Sequence, residues 1–110
     1  MSTRTATTTT ASRRQCLRVY METPLHATVI GARRVAARVR NLALGGALLE
    51  TDAHFAVGES VNLEIHAGTR TIKSAARVRG ATPQGISVEF VELKPATRNL
   101  LRDLITKLLD

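Results

Sequence analysis

Apolar and polar residues alternate along most of this chain. Val35, Ala37 and Val39 are interleaved with Arg34, Ala36, Arg38 and Arg40. Val61, Leu63 and Ile65 alternate with Asn62, Glu64 and His66, and Ile86, Val88 and Phe90 with Ser87, Glu89 and Val91. Successive side chains of a strand point to opposite faces, so each run predicts a strand with one buried and one wet face. Leu25 to Ile30, Ala47 to Thr51 and Thr71 to Ala81 are further expected strands. Turn residues separate them at Gly31, Gly45-Gly46, Ala67-Gly68 and Pro83-Gln84-Gly85. Six or so short strands with regular breaks predict an all-β barrel or sandwich. Closure into a barrel would leave no exposed sheet edge.

The period changes after Lys94. Pro95 suits the first helical position, where its missing N–H costs nothing. Leu100, Leu104 and Leu108 share a face with Leu101 and Ile105, while Arg98, Arg102, Asp103 and Lys107 fall largely elsewhere. The pattern predicts an amphipathic helix over about 95–109. Its apolar stripe is expected to pack as a lid on the strands; dimerisation or docking of a partner is the other use it allows. At the opposite end, Met1 to Ser12 is rich in Thr, Ser and Ala without periodicity and reads as a flexible tail.

A chain of 110 residues supports one domain. At this size about two-thirds of the unfolded surface is buried, enough for one core without staples. Cys16 is the single cysteine, which excludes a disulfide framework and fits a reducing cytoplasm. No apolar run approaches the ~20 residues of a membrane span, and the N-terminus lacks the apolar core of a secretory signal, so no membrane insertion is expected. The net charge of +7 favours an anionic partner. Only three aromatic residues are present, Tyr20, Phe55 and Phe90. Single-stranded nucleic acids are held on several stacked rings, so nucleic acid is disfavoured as that partner.

Catalytic signatures are missing from the sequence. His26, His54 and His66 lack metal-ligand spacing and are expected at the surface. Arginines flank Cys16 and would lower its pKa, but no companion base is identifiable. No paired carboxylates or Ser/His/Asp pattern appears. The expectation is a binding protein, not an enzyme.

Two constellations carry the binding signal. Arg13-Arg14-Gln15-Cys16-Leu17-Arg18 is a dense basic cluster just before the first apolar stretch. The guanidinium fork of arginine pairs with phosphate or a guanine edge and stacks on bases. Arg14 and Arg18 would lie roughly 13 Å apart in an extended chain, so converging on one small anion requires the segment to bend. The second constellation, Asn41-Leu42-Ala43-Leu44-Gly45-Gly46, closes the Arg33 to Arg40 strand. Asn41 offers both donors and acceptors to a base edge, and the glycines permit a tight turn and close backbone approach.

Together the two constellations resemble the PilZ family. Its signature is Arg-x-x-x-Arg followed, about 20–30 residues later, by Asp/Asn-x-Ser-x-x-Gly; Arg14 to Arg18 and Asn41 to Gly46 match in that order. Gly46 to Thr51, Val57 to Val61, Gly85 to Leu93 and the helix after Pro95 also resemble the family, extending the likeness over 13–110. The resemblance implies a six-stranded antiparallel β-barrel with a C-terminal α-helix. The expected layout is an arginine arm over 13–18, a barrel over about 19–93 and the helix over about 95–109.

The resemblance also implies cyclic di-GMP as ligand, with no further cofactor or metal. Arg14 and Arg18 would hold its phosphates and guanines, with Arg13 assisting. Asn41 would bond a guanine edge, and Gly46 would let the backbone approach. Binding would order the arginine arm and so alter an unidentified downstream protein, with motility, biofilm exopolysaccharide, pilus function or virulence as outputs. One ligand or a stacked pair, and a monomer or a homodimer, both suit the sequence. One position departs from the signature: its serine is Ala43 here. The lost hydroxyl predicts weaker binding, by roughly 2- to 12-fold for an ordinary hydrogen bond. A PilZ-like interaction module that has lost its ligand is the alternative.

Overall fold

A computed structural model describes residues 18–109. Six strands and one helix follow each other along the chain: β1 (Arg18–Ile30), β2 (Arg34–Ala43), β3 (Gly46–Glu50), β4 (Ser60–Ala67), β5 (Arg70–Thr82), β6 (Gly85–Phe90) and α1 (Pro95–Leu109). All pairings are antiparallel, and the sheet closes on itself in the order β1-β2-β3-β6-β5-β4. The six-stranded antiparallel barrel with a C-terminal helix is therefore the observed architecture.

The inward residues of the alternating runs form the core. Val29, Val39, Leu42, Leu49, Leu63, Ile65 and Val78 are essentially sealed from water. The helix adds Leu101 and Ile105 to the same cluster. Side chains inside a barrel can be reached only from an open end, so α1 closes one mouth. Leu100, Leu104 and Leu108 pack around this plug as a half-buried rim.

β1 and β2 depart from simple alternation. The β1–β2 register shifts between Tyr20 and Leu25, a stretch that contains Pro24. Proline donates no ladder hydrogen bond and is accommodated at such irregularities. The expected strand from Leu25 is thus only the second half of β1, which begins at Arg18. In β2 the pairing with β3 jumps from Val39 to Asn41 and leaves Arg40 as a bulged residue. The extra residue inverts the phase of the strand. Val39 and Leu42 point inward, and Asn41 stands on the outer wall opposite Tyr20.

Arg40 ties these irregularities together. Its guanidinium donates to both carboxylate oxygens of Glu50 on β3, at 3.0 and 3.3 Å, and to the backbone carbonyls of Met21 and Glu22 on β1, at 3.0 and 3.1 Å. The planar fork can make all these bonds from one fixed plane. Arg40 stands first among the causes that hold the Glu50 carboxyl below its ordinary range, with Arg38 adding to the effect.

The seam that closes the barrel is short. β1 pairs with β4 only from Ala27 to Ile30. The earlier half of β1 is laddered to β2 alone, and α1 packs against both β1 and β5 beside this gap.

Candidate functional site

The register aligns side chains of different strands on the outer wall. One row runs Tyr20 (β1), Asn41 (β2), Leu48 (β3) and Ser87 (β6). The adjacent row carries Arg18, paired with Ala43, and Gly46, paired with Glu89. The β2–β3 turn, Leu44-Gly45, joins Ala43 to Gly46. All of these residues except Leu44 line a hollow of about 490 Å³. That volume lies within the range of small-molecule sites, about 300–1,000 Å³.

Four of the expected site residues therefore meet: Arg18, Asn41, Ala43 and Gly46 all line the hollow. Arg13 and Arg14 lie outside the described residues. Arg18 is not in a segment preceding the barrel; it is the first residue of β1 and extends the Tyr20 face.

Asn41 is the chemical centre of this arrangement. It is only 4% exposed, and is the one buried polar side chain in the described core. Among the described residues its side-chain amide makes no hydrogen bond. A buried amide without a partner costs about 1–3 kcal/mol. The hollow in front of it is where a partner would enter.

The two glycines divide their work. A Cβ on Gly46 would run into the carbonyl oxygen of Val88, so the close pairing of β3 with β6 at this point requires this glycine. A Cβ on Gly45 would meet nothing within 4 Å. The bare backbone facing the hollow is thus at Gly45, while Gly46 brings β6 close enough to form the far wall.

Alternation alone did not reveal Tyr20, Leu48, Ser87 and Glu89 as members of the lining. Their signal is the register, and the bulge at Arg40 breaks the phase that would have disclosed it. Tyr20 is 70% exposed and Leu48 40%. Glu89 accepts from Arg79 Nε at 2.8 Å, and Arg77 stands opposite Glu89 on β5. The hollow thus carries a cation, Arg18, at its β1 side and the Arg79-paired carboxylate of Glu89 at its β6 side.

The arrangement can hold a flat polar group against Asn41 and an anion against Arg18. Among the described residues no group of three His, Cys, Asp or Glu could hold a metal ion. His66 is engaged on both ring nitrogens, with the hydroxyls of Thr28 at 3.1 Å and Thr71 at 3.3 Å. Among the described residues, no helix is long and apolar enough to cross a membrane.

The sequence profile of the PilZ domain matches residues 12–107. The chain belongs to the PilZ domain family. Several solved structures share its fold. Escherichia coli YcgR in complex with c-di-GMP superposes with a TM-score of 0.74 at 20% identity, over 88% of this chain and 46% of that one. The Bacillus subtilis inhibitor of motility, MotI/DgrA, gives 0.71 at 22%, over 87% of this chain and 51% of that one. This PilZ chain therefore spans about half the length of either protein. The PilZ domain of CeSA from a cellulose-synthesizing bacterium gives 0.70 at 15%, over 84% of this chain and 98% of that one. No curated protein sequence matches the chain significantly.

Proposed function

We propose that this PilZ domain is a cytoplasmic receptor that binds cyclic di-GMP in the hollow on its outer wall. The observation that carries the reading is the convergence of Arg18, Ala43 and Gly46 on the buried amide of Asn41, which has no partner among the described residues. Asn41 bonds a guanine edge, as an amide with donor and acceptor can. Arg18 pairs with phosphate or guanine through its fork. Arg14 and Arg13, from the segment preceding β1, close over the nucleotide and complete the charge complementarity. Ordering that arm changes the surface offered to a downstream protein. Motility control is one output, in keeping with the inhibitor of motility among the similar folds. The protein on this reading is a binding module, not an enzyme.

Calorimetry with cyclic di-GMP at low salt tests the proposal. Saturable heat is expected, and Arg14→Ala and Arg18→Ala are each expected to remove most of it. Absence of heat at high ligand excess would overturn the receptor. Ala43→Ser restores the missing hydroxyl and should tighten binding by roughly 2- to 12-fold.

Ala43 also favours a second reading, in which the barrel has kept the fold and lost the nucleotide, and acts through protein contacts. A partner captured equally with and without cyclic di-GMP supports that reading.

A further inference from the structure

The walls of the hollow are more specific than a basic groove requires. Four large apolar side chains are exposed in the described residues: Tyr20, Leu48, Val57 and Leu109. Two of the four stand on either side of Asn41, on the strands flanking β2. Phe55 and Phe90 pack against the core instead. Tyr20 is thus the one aromatic ring placed to receive a ligand.

Spacing fits this pair to a planar guest. Neighbouring strands lie about 4.8 Å apart, so Tyr20 and Leu48 rise from backbones roughly 9.6 Å apart. Side chains stand nearly perpendicular to a sheet. A planar ring in contact with both walls needs about 3.5 Å on each face, roughly 7 Å in all. The remaining width is taken up by the thickness of the walls. The floor between them is the Asn41 amide, which is buried and lacks a partner among the described residues.

Resting on the reading of the hollow as a nucleotide site, we infer that Tyr20, Asn41 and Leu48 form a slot for one purine base inserted edge-on. The base stacks on the Tyr20 ring, its other face meets Leu48, and its edge bonds the Asn41 amide. Tyr20 is a specificity residue of this site, outside the two arginine and asparagine constellations. It recognises the flat face of the base, whereas Arg18 recognises charge.

The chain supplies its own reporter. Tyr20 is the only tyrosine, and tryptophan is absent. Intrinsic tyrosine emission therefore reads this one ring. Titration with cyclic di-GMP is expected to quench the emission with the same midpoint as the calorimetric heat. Tyr20→Thr keeps a strand-forming residue but removes the ring. It is expected to weaken binding by about 5- to 150-fold, the range for loss of one base–aromatic stack. The loss should be equal at low and high salt, because stacking is not screened, while the Arg18→Ala loss should shrink as salt rises. Tyr20→Phe is expected to recover the affinity that Tyr20→Thr loses. Normal heat with unchanged emission, and a Tyr20→Thr protein that binds as tightly as wild type, would overturn the slot and leave the receptor standing. Absence of heat with the wild type would overturn both.

Discussion

Gly45 and Gly46 sit side by side in the same turn, yet the surroundings of their missing Cβ atoms are opposite. Gly46→Ala places a methyl group into the Val88 carbonyl and must push β6 away from β3. We expect it to destabilise the fold by about 2 kcal/mol or more, within the range for overpacking, as read by urea denaturation. Gly45→Ala meets open space and should leave the denaturation midpoint nearly unchanged while weakening the ligand that approaches the turn. Asn41 makes the complementary case. Asn41→Leu removes a buried amide that finds no partner among the described residues, so its melting temperature should equal or exceed that of wild type while nucleotide binding is lost. Such a result would mark Asn41 as a residue retained for its ligand, not for the fold. That the signature positions 41, 43 and 46 would lie together was legible in the sequence because their spacing is local. Tyr20, Leu48 and Ser87 were not, because they meet only through the register of four strands.

Elements were legible where one period held throughout. The helix from Pro95 to Leu109 follows directly from its apolar stripe, and the packing of α1 bears it out. Leu101→Ala would open a void beneath this plug and should cost about 2–5 kcal/mol in urea denaturation. The first half of β1 was hidden, since Met21-Glu22-Thr23-Pro24 breaks alternation. What holds that stretch is tertiary: the guanidinium of Arg40 on two of its carbonyls, with Glu50 on the other side. This brace carries a pH dependence. The folded-state pKa of Glu50 lies below its unfolded value, chiefly through the Arg40 hydrogen bond. Its stabilisation is complete above the ordinary glutamate range and is lost as pH falls through the depressed value. Thermal melts should show part of the acid sensitivity of the wild type disappearing in Glu50→Gln.

At the scale of the whole molecule, the alternating pattern alone fitted a sandwich as well as a barrel. What separates the two is the pairing of β1 with β4, a contact between distant segments with no local mark in the sequence; the family resemblance selected the closed form. The net charge of +7 was legible from composition, and it predicts that affinity for a dianionic nucleotide falls as ionic strength rises, as calorimetry at two salt concentrations would show. The short seam has its own consequence. Amide hydrogens from Ala27 to Ile30 lie between two neighbouring strands, whereas in the Arg18–Leu25 half only Arg18 to Tyr20 and Leu25 are paired, and with β2 alone. Hydrogen exchange should therefore be faster in the earlier half, and cyclic di-GMP should slow it there first. The barrel is a clasp fastened over half its length, and the two β1 residues proposed to hold the nucleotide, Arg18 and Tyr20, sit on the unfastened half. On the proposed reading, part of the binding free energy becomes resistance to peeling from that end.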